Sequence, residues 1–292
     1  MPKRDGARAV EFDALVRQRY VKLSPAHRRI ADYLLADGRR AALVPAADIA
    51  KTLDMSEATV SRFAQALGYD GYPQLRDRLR ERFLVTATSL DRLAASAEQP
   101  RGSVLERVLA EDADAVLGTL AQIPAGTFDA AVEAILGARR TYVVGSRGSA
   151  GLALVLGMGL RIFLPETRVI AVNVGDEAEE LLAVRKGDLV VVISVLRYSG
   201  QTLEILRYAH EAKARTVAIT DSPISPVART ADIVLLTKQT SPRTMASYAA
   251  IASVASALTE AVAARLGPRA RPALRRAESL WDRFRVHARE PR

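Results

Sequence analysis

Five short runs rich in β-branched residues constrain the fold of this chain more than any other feature. They lie at residues 141–145, 168–173, 188–194, 215–220 and 232–237, with helical stretches or loops between them. The runs are almost wholly apolar, so each predicted strand is expected to be covered on both faces. Strands of this kind that alternate with helices form a parallel sheet. We therefore predict an α/β domain with a five-stranded parallel sheet flanked by helices, over residues 104–292.

The first 83 residues have a different pattern, which predicts an all-helical domain. Ser24-Pro25 is typical of a helix start, with serine as the cap and proline at the first helical position. Pro45 precedes a second helical pattern, and Ser56 caps a third. Residues 84–103 have weak periodicity and many small polar residues, and we interpret them as a linker.

Two short helices joined by a tight turn are predicted within residues 46–67. Asp54 is suited to the turn because it tolerates left-handed backbone geometry. In the second helix the apolar residues recur at i, i+3, i+4 and i+7 and are expected to face inward; they are Val60, Phe63, Ala64 and Leu67. This spacing is that of a helix-turn-helix, in which the second helix enters the major groove of DNA.

The opposite face of this second helix supplies the predicted DNA contacts. Arg62 can pair with guanine and Gln65 with adenine, while Lys51, Ser56 and Thr59 can reach phosphates. The same face also carries Glu57, Ala58 and Ser61. An ordinary helical hairpin with a solvated face remains an alternative at this point.

The distribution of charge supports a DNA-binding domain followed by a ligand-binding domain. Residues 1–83 hold 16 basic and 11 acidic residues, residues 84–238 hold 16 and 18, and residues 239–292 hold 10 and 4. A basic domain before a nearly neutral one is the pattern expected of a regulator that binds double-stranded DNA. An arginine-rich proteome with solvated faces would also produce it.

Two loops of the predicted sheet carry hydroxyl groups and glycines where a ligand would bind. With the strand order 2-1-3-4-5, the order reverses between the first and third strands, and ligands bind at such reversals. The loop after the first strand holds Ser146, Arg147 and Ser149. The loop after the third strand holds Ser194, Arg197, Tyr198, Ser199, Gly200, Gln201 and Thr202. Glycines and helix N-termini of this kind bind anions, so we predict a small phosphorylated metabolite as the ligand. Turn chemistry and helix capping alone would explain either loop by itself.

Several functions are made less probable by the composition. The chain has no cysteine and only three histidines, which are far apart in sequence, so we predict no metal site and no cofactor. No secretory signal or convincing membrane span is visible. We therefore expect a cytoplasmic protein that does not associate with a membrane.

The two domains together resemble the RpiR/MurR family of regulators. The motifs are SEATVSRF followed by LGYDGY in the first domain, and VVGSRGSAG, SGQT and TDSPISPVARTADIVL in the second. The resemblance implies a sugar isomerase (SIS) domain, a sugar phosphate as effector that controls operator binding allosterically, and a homodimer or homotetramer. In the family's usual S-x-S-G-x-T motif the serines are closer together, whereas Val195–Tyr198 form a longer insert between Ser194 and Ser199.

Two other functions remain open at the level of the sequence. A phosphosugar isomerase would need a general base, for which Glu177, Glu179 and Glu180 are available, although acids also favour a helix start. An architectural DNA-binding protein would use the second domain only to oligomerise, through the uncharged stretch Thr244–Thr259. We favour the regulator and expect no catalytic residue.

Overall fold

The computed structural model describes residues 12–36, 44–83, 103–172, 175–239 and 246–287, with the single residues 90 and 93. The chain divides near residue 101 into two compact units. Most of the predicted linker 84–103 lies outside the described residues, so the limits of the two domains remain a prediction.

The described part of the first unit is helical, as predicted. Its helices are α1 (Phe12–Arg19), α2 (Pro25–Ala36), α3 (Ala46–Thr52), α4 (Glu57–Ala66) and α5 (Tyr72–Phe83), with a 3-10 turn at Tyr20–Lys22. The amide of His27 donates to Ser24 Oγ at 3.2 Å, which confirms the cap predicted for α2. Ile30, Phe63 and Leu75 are fully buried in a core to which all five helices contribute.

The second unit contains the predicted parallel sheet. Two helices precede it, α6 (Val104–Gln122) and α7 (Ala125–Gly137). The strands and the remaining helices then follow in the order β1 (Thr141–Ser146), α8 (Gly148–Phe163), β2 (Thr167–Val172), α9 (Glu177–Leu181), β3 (Leu189–Ile193), α10 (Gly200–Glu211), β4 (Arg215–Thr220), β5 (Ile233–Leu236), α11 (Ala249–Leu266) and α12 (Arg271–Arg283). The strand order is β2-β1-β3-β4-β5 and every pair is parallel, as predicted.

Helices cover both faces of the sheet, which explains why the strands are apolar on both sides. Val143 and Val191 pack on one face against α7, α8 and α11. Tyr142 and Val190 face the opposite side and pack against α10.

Helix α11 belongs to this core. It forms part of the stretch Ala249–Arg283, which is long and apolar enough to cross a membrane by length and composition. However, α11 buries Ile251, Val254 and Leu258 against the sheet. Part of the apolar character of α11 therefore belongs to the core.

Candidate functional site

The turn between α3 and α4 has the backbone conformation that the sequence predicts. Asp54 has a φ of +50°, in the left-handed region that aspartate tolerates better than most side chains. The amide of Met55 donates to the carbonyl of Ala50 at 2.9 Å and closes the turn. Ser56 then caps α4, because its Oγ accepts a hydrogen bond from the amide of Thr59 at 3.3 Å.

Helix α4 has one buried face and one accessible face. The four residues predicted to point inward are all buried, and Val60, Phe63 and Ala64 are 0% exposed. On the other side, Glu57, Ala58, Arg62 and Gln65 are exposed and Thr59 and Ser61 are half-buried; Ser56 and Lys51 just before the helix are also exposed. The eight residues predicted to contact DNA thus lie on or beside one accessible helix face.

Two arginines outside the motif hold the ends of this helix pair. Arg29 donates to the carbonyl of Leu53 at 2.7 Å, and Arg19 donates to the carbonyl of Ala66 at 2.9 Å. The His27 ring packs edge-on against Phe63 at 5.8 Å between centroids. Burial, and then the positive charge of Arg62, lower the pKa of His27. The helix pair is therefore fixed by contacts from α1 and α2 that its own sequence does not indicate.

The first predicted ligand loop is a sharp turn between β1 and α8. Arg147 has a φ of +54°, a backbone conformation that normally requires glycine, and its carbonyl accepts the amide of Ala150 at 3.1 Å. A Cβ at Gly145 would lie 2.3 Å from the carbonyl oxygen of Ser149, so only glycine allows α8 to begin so close to β1. Ser149 is buried, whereas Arg147 is exposed.

The second loop runs from β3 to α10 and contains a buried hydroxyl without a partner. Ser199 caps α10 by accepting the amide of Thr202 at 3.3 Å. Thr202 is 0% exposed, and its Oγ1 forms no hydrogen bond with any described residue. Ser194 is also buried, while Gly200 and Gln201 are exposed at the helix start.

The sheet brings these two loops together. Gly145 of β1 pairs with Ile193 of β3, so Ser146 and Ser194 follow directly at the carboxyl ends of neighbouring strands. Neighbouring strands lie about 4.8 Å apart. The N-termini of α8 and α10 therefore lie at the point where the strand order reverses, and helix N-termini in such positions are typical anion-binding sites.

Asp221 is a residue of this site that we did not predict. It follows β4, and its carboxylate accepts hydrogen bonds from the amide of Leu196 at 3.3 Å and from the Tyr198 side chain. Burial raises the pKa of Asp221 above its ordinary value, while these hydrogen bonds oppose the shift. Asp221 thus anchors the insert 195–198 from the end of a neighbouring strand. It lies within the motif TDSPISPVARTADIVL, whose sequence does not indicate this contact.

Tyr248 is a second residue that sequence reasoning missed. A Cβ at Gly148 would lie 2.0 Å from Tyr248 Oη, so the phenol lies against the first residue of α8. The preceding residue, Ser247, donates to Asp112 of α6 at 2.7 Å. Tyr248 lies more than 90 positions after the loop that it contacts, and no local pattern indicates the contact.

The three glutamates considered as catalytic bases form the first turn of α9. Glu179 is exposed, and Glu177 and Glu180 are half-buried. Their positions agree with the simpler interpretation, in which acids stabilise the positive end of a helix.

Comparisons with known proteins agree with this architecture. Residues 11–85 match the helix-turn-helix domain of the rpiR family, and residues 134–264 match the SIS domain. The transcriptional regulator HexR of Pseudomonas aeruginosa is 26% identical over 225 residues, which cover 75% of this chain and 76% of HexR.

Two solved structures are also similar. One is the sugar isomerase domain of an RpiR transcription factor from Sphaerobacter thermophilus, with a TM-score of 0.58 and 32% identity, covering 61% of this chain and 99% of that domain. The other is Vibrio vulnificus NanR complexed with ManNAc-6P, with a TM-score of 0.59, 17% identity and coverage of 95% and 100%. At that identity, the NanR structure supports the fold alone. The chain therefore belongs to the RpiR family of helix-turn-helix transcriptional regulators that carry a SIS domain.

Proposed function

We propose that this regulator reads an operator in double-stranded DNA through α4 and binds a small phosphorylated metabolite, of the sugar phosphate class, at the loops before α8 and α10. Ligand binding at these loops controls operator binding allosterically. The unpartnered Thr202 hydroxyl is the observation that carries the ligand half of this proposal. A buried hydroxyl without a partner is costly, and a ligand oxygen that accepts its hydrogen bond removes that cost.

The chemistry of the two loops supports an anionic ligand. Each helix start offers backbone amides that its own helix leaves unbonded. The hydroxyls of Ser146, Ser149, Ser194 and Ser199 surround these amides, and Arg147 and Arg197 supply positive charge. A sugar phosphate offers both the phosphate for the helix starts and hydroxyls for the neighbouring polar side chains. NanR, the relative of similar fold, is complexed with such a compound.

The insert 195–198 sets the selectivity of this site. Asp221 holds the insert through Leu196 and Tyr198, and Arg197 between them is exposed. Because the insert is anchored on both sides, it fixes the positive charge of Arg197 beside the two loops, and this charge favours an acidic or polar group on the ligand.

The surface of α4 supports the DNA half of the proposal. Glu57, Ala58 and Ser61 lie in its N-terminal half, which enters the groove first, and Arg62 and Gln65 lie in its C-terminal half. Gln65 donates only a long hydrogen bond of 3.4 Å to the carbonyl of Asp70 and can exchange it for a base edge. Lys51, Ser56 and Thr59 lie beside them and position the helix on the phosphates.

Exposed apolar faces in the second unit support a homodimer or homotetramer. On α8, Leu154, Val155 and Met158 are 49%, 54% and 58% exposed and share one face of the helix. On α6, the exposed leucines Leu105, Leu109, Leu117 and Leu120 form a second stripe. Contiguous exposed apolar surface marks interaction sites, and a second copy would also pair two helix-turn-helix units for two half-sites of an operator. Light scattering on Met158→Arg should show loss of the wild-type oligomer.

The DNA half is tested by selecting binding fragments from genomic DNA and repeating the binding assay with Arg62→Ala. This variant should lose about 1–3 kcal/mol of specific binding, while Arg276→Ala on α12 should bind as the wild type does. Equal affinity of Arg62→Ala and wild type would remove Arg62 from base recognition.

The ligand half is tested by thermal shift with a panel of sugar phosphates and with inorganic phosphate. A sugar phosphate should raise the melting temperature and change operator affinity. If no member of the panel does either, the proposal of a sugar phosphate effector fails. Turnover of a sugar phosphate by the purified protein would instead favour an isomerase.

A further inference from the structure

The edge of the sheet at which the strands begin, opposite the candidate ligand site, collects basic residues from four neighbouring strands. We call this set the basic edge; it consists of Arg139, Arg140, Arg168, Arg185, Lys186, Lys213 and Arg215. They are spread over 77 positions of the chain, and no segment within these positions is by itself strongly basic.

Backbone pairing establishes that these residues are neighbours. The amide of Arg139 donates to the carbonyl of Gly187 at 2.8 Å, and the amide of Arg215 donates to the carbonyl of Asp188 at 2.9 Å. Arg168 is in register with Tyr142, two residues after Arg140. The pKa of Glu166 is lowered by a hydrogen bond from Arg140, by the charge of Arg140, and by the charges of Arg168 and Arg139. Three of these cations therefore act on one carboxylate.

The four acidic residues at this edge leave a net positive charge, because seven cations lie there. Asp188 pairs with Arg139 and Glu166 pairs with Arg140, each at 2.7 Å. Towards β5, Asp232 accepts two hydrogen bonds from Thr216 at 2.8 Å, and Glu211 ends α10. Four cations remain exposed and form no ion pair with another described residue; these are Arg185, Lys186, Lys213 and Arg215.

The charge of residues 84–238 is therefore unevenly distributed between this edge and the rest of the segment. Residues 84–238 contain 16 basic and 18 acidic residues. Without the seven cations of the basic edge and the four acids named there, 9 basic and 14 acidic residues remain. Such polarity directs a polyanion to the edge and away from the rest of residues 84–238.

Lys213 has a backbone conformation that adds to this evidence. Its φ is +58°, and the amide of Ala214 donates to the carbonyl of Ala209 at 2.9 Å to end α10. Glycine is the usual residue at this position of a helix end, because a side chain is strained there. The chain thus has a cation where backbone stability alone favours glycine.

We propose that the basic edge binds the phosphate backbone of double-stranded DNA without reading its sequence. Four strands about 4.8 Å apart spread the cations over roughly 14 Å, enough to face several phosphates of a duplex. Lysine and arginine on loops contact phosphates without selecting bases. This contact with DNA is additional to the contact made by α4. The proposed function requires only the α4 contact.

The test uses the full chain with Lys186→Gln, Lys213→Gly and Arg215→Gln combined, which keeps the ion pairs Arg139–Asp188 and Arg140–Glu166. The control combines Arg271→Gln, Arg275→Gln and Arg276→Gln on α12, which removes the same charge from exposed positions. Binding to a mixed-sequence duplex of about four helical turns is measured between about 50 and 200 mM salt. The slope of log Kobs against log salt should become shallower by between about 1 and 3 in the basic-edge variant, and Kobs should fall about tenfold or more. The control should keep the wild-type slope.

An unchanged slope in the basic-edge variant would overturn the proposal. Equal changes in both triple variants would overturn it too, because they would reflect net charge alone. Tighter binding to polyglutamate or to phosphatidylserine vesicles than to DNA at the same salt would assign the edge to an acidic protein or a membrane. If the triple variant does not fold, Lys213→Gly alone relieves the strained backbone and should still lower the slope by about 0.9.

Discussion

Thr202→Val replaces a fully buried hydroxyl with a methyl group and leaves the backbone hydrogen bond to Ser199 in place. Thr202 Oγ1 has no partner among the described residues. Since an unsatisfied buried hydroxyl costs about 1–3 kcal/mol, valine should increase the free energy of unfolding of the ligand-free protein by about 1 kcal/mol or more. The same variant should lose the response to a sugar phosphate, because the ligand no longer receives this hydrogen bond.

Thermal melts and urea unfolding, each with and without the sugar phosphate, measure both effects. For a domain of this size, 1 kcal/mol corresponds to a rise of about 2–4 °C in Tm. A ligand at one hundred times its Kd should stabilise the wild type by about 2.7 kcal/mol and should stabilise the variant much less.

Thr216→Val provides the matched control at the opposite edge of the sheet. Thr216 is also 0% exposed, but its Oγ1 donates to Asp232 Oδ2 at 2.8 Å and accepts the Asp232 amide at 2.9 Å. The same substitution there should therefore destabilise the protein by about 1–3 kcal/mol. If Thr202→Val destabilises the protein as Thr216→Val does, or if it keeps the full ligand shift, the reasoning about Thr202 is wrong.

Three further substitutions test contacts around the same site. Asp221→Asn removes an acid whose pKa burial raises above 3.8. In the wild type, the protonated carboxyl contributes stability that is lost as pH rises through this raised pKa, whereas the amide of the variant does not titrate. Urea unfolding from about pH 4 to 7 should therefore show the free energy of unfolding of the variant rising relative to that of the wild type. Gly148→Ala places a Cβ 2.0 Å from Tyr248 Oη, so it should lower Tm, and adding Tyr248→Ala should recover part of the loss. Gly145→Ala places a Cβ 2.3 Å from the Ser149 carbonyl; because backbone cannot move aside cheaply, this variant should unfold at lower urea with no such rescue.

Local sequence signals predicted the elements of both units well. Ser24, Asp54 and Ser56 act through hydrogen bonds or dihedral angles within a few residues of themselves, so their roles can be inferred without the tertiary structure. The apolar β-rich runs predicted five parallel strands for a similar reason, since a strand with two apolar faces must be covered on both.

The site itself was predicted only in part. The hydroxyl-rich loops could be located because the reversal of strand order places the carboxyl ends of β1 and β3 side by side. The sequence did not indicate which hydroxyl lacks a partner, because that depends on the packing around Thr202.

The amino-acid sequence alone therefore determined the helical head, the parallel sheet and the two loops at its carboxyl edge, because these follow from periodicity, capping and chain connectivity. Only the tertiary structure decided that Asp221 anchors the insert, that Tyr248 lies on Gly148, and that dispersed cations form the basic edge. These features join residues far apart in the chain, and their contacts arise only when the sheet places neighbouring strand ends together.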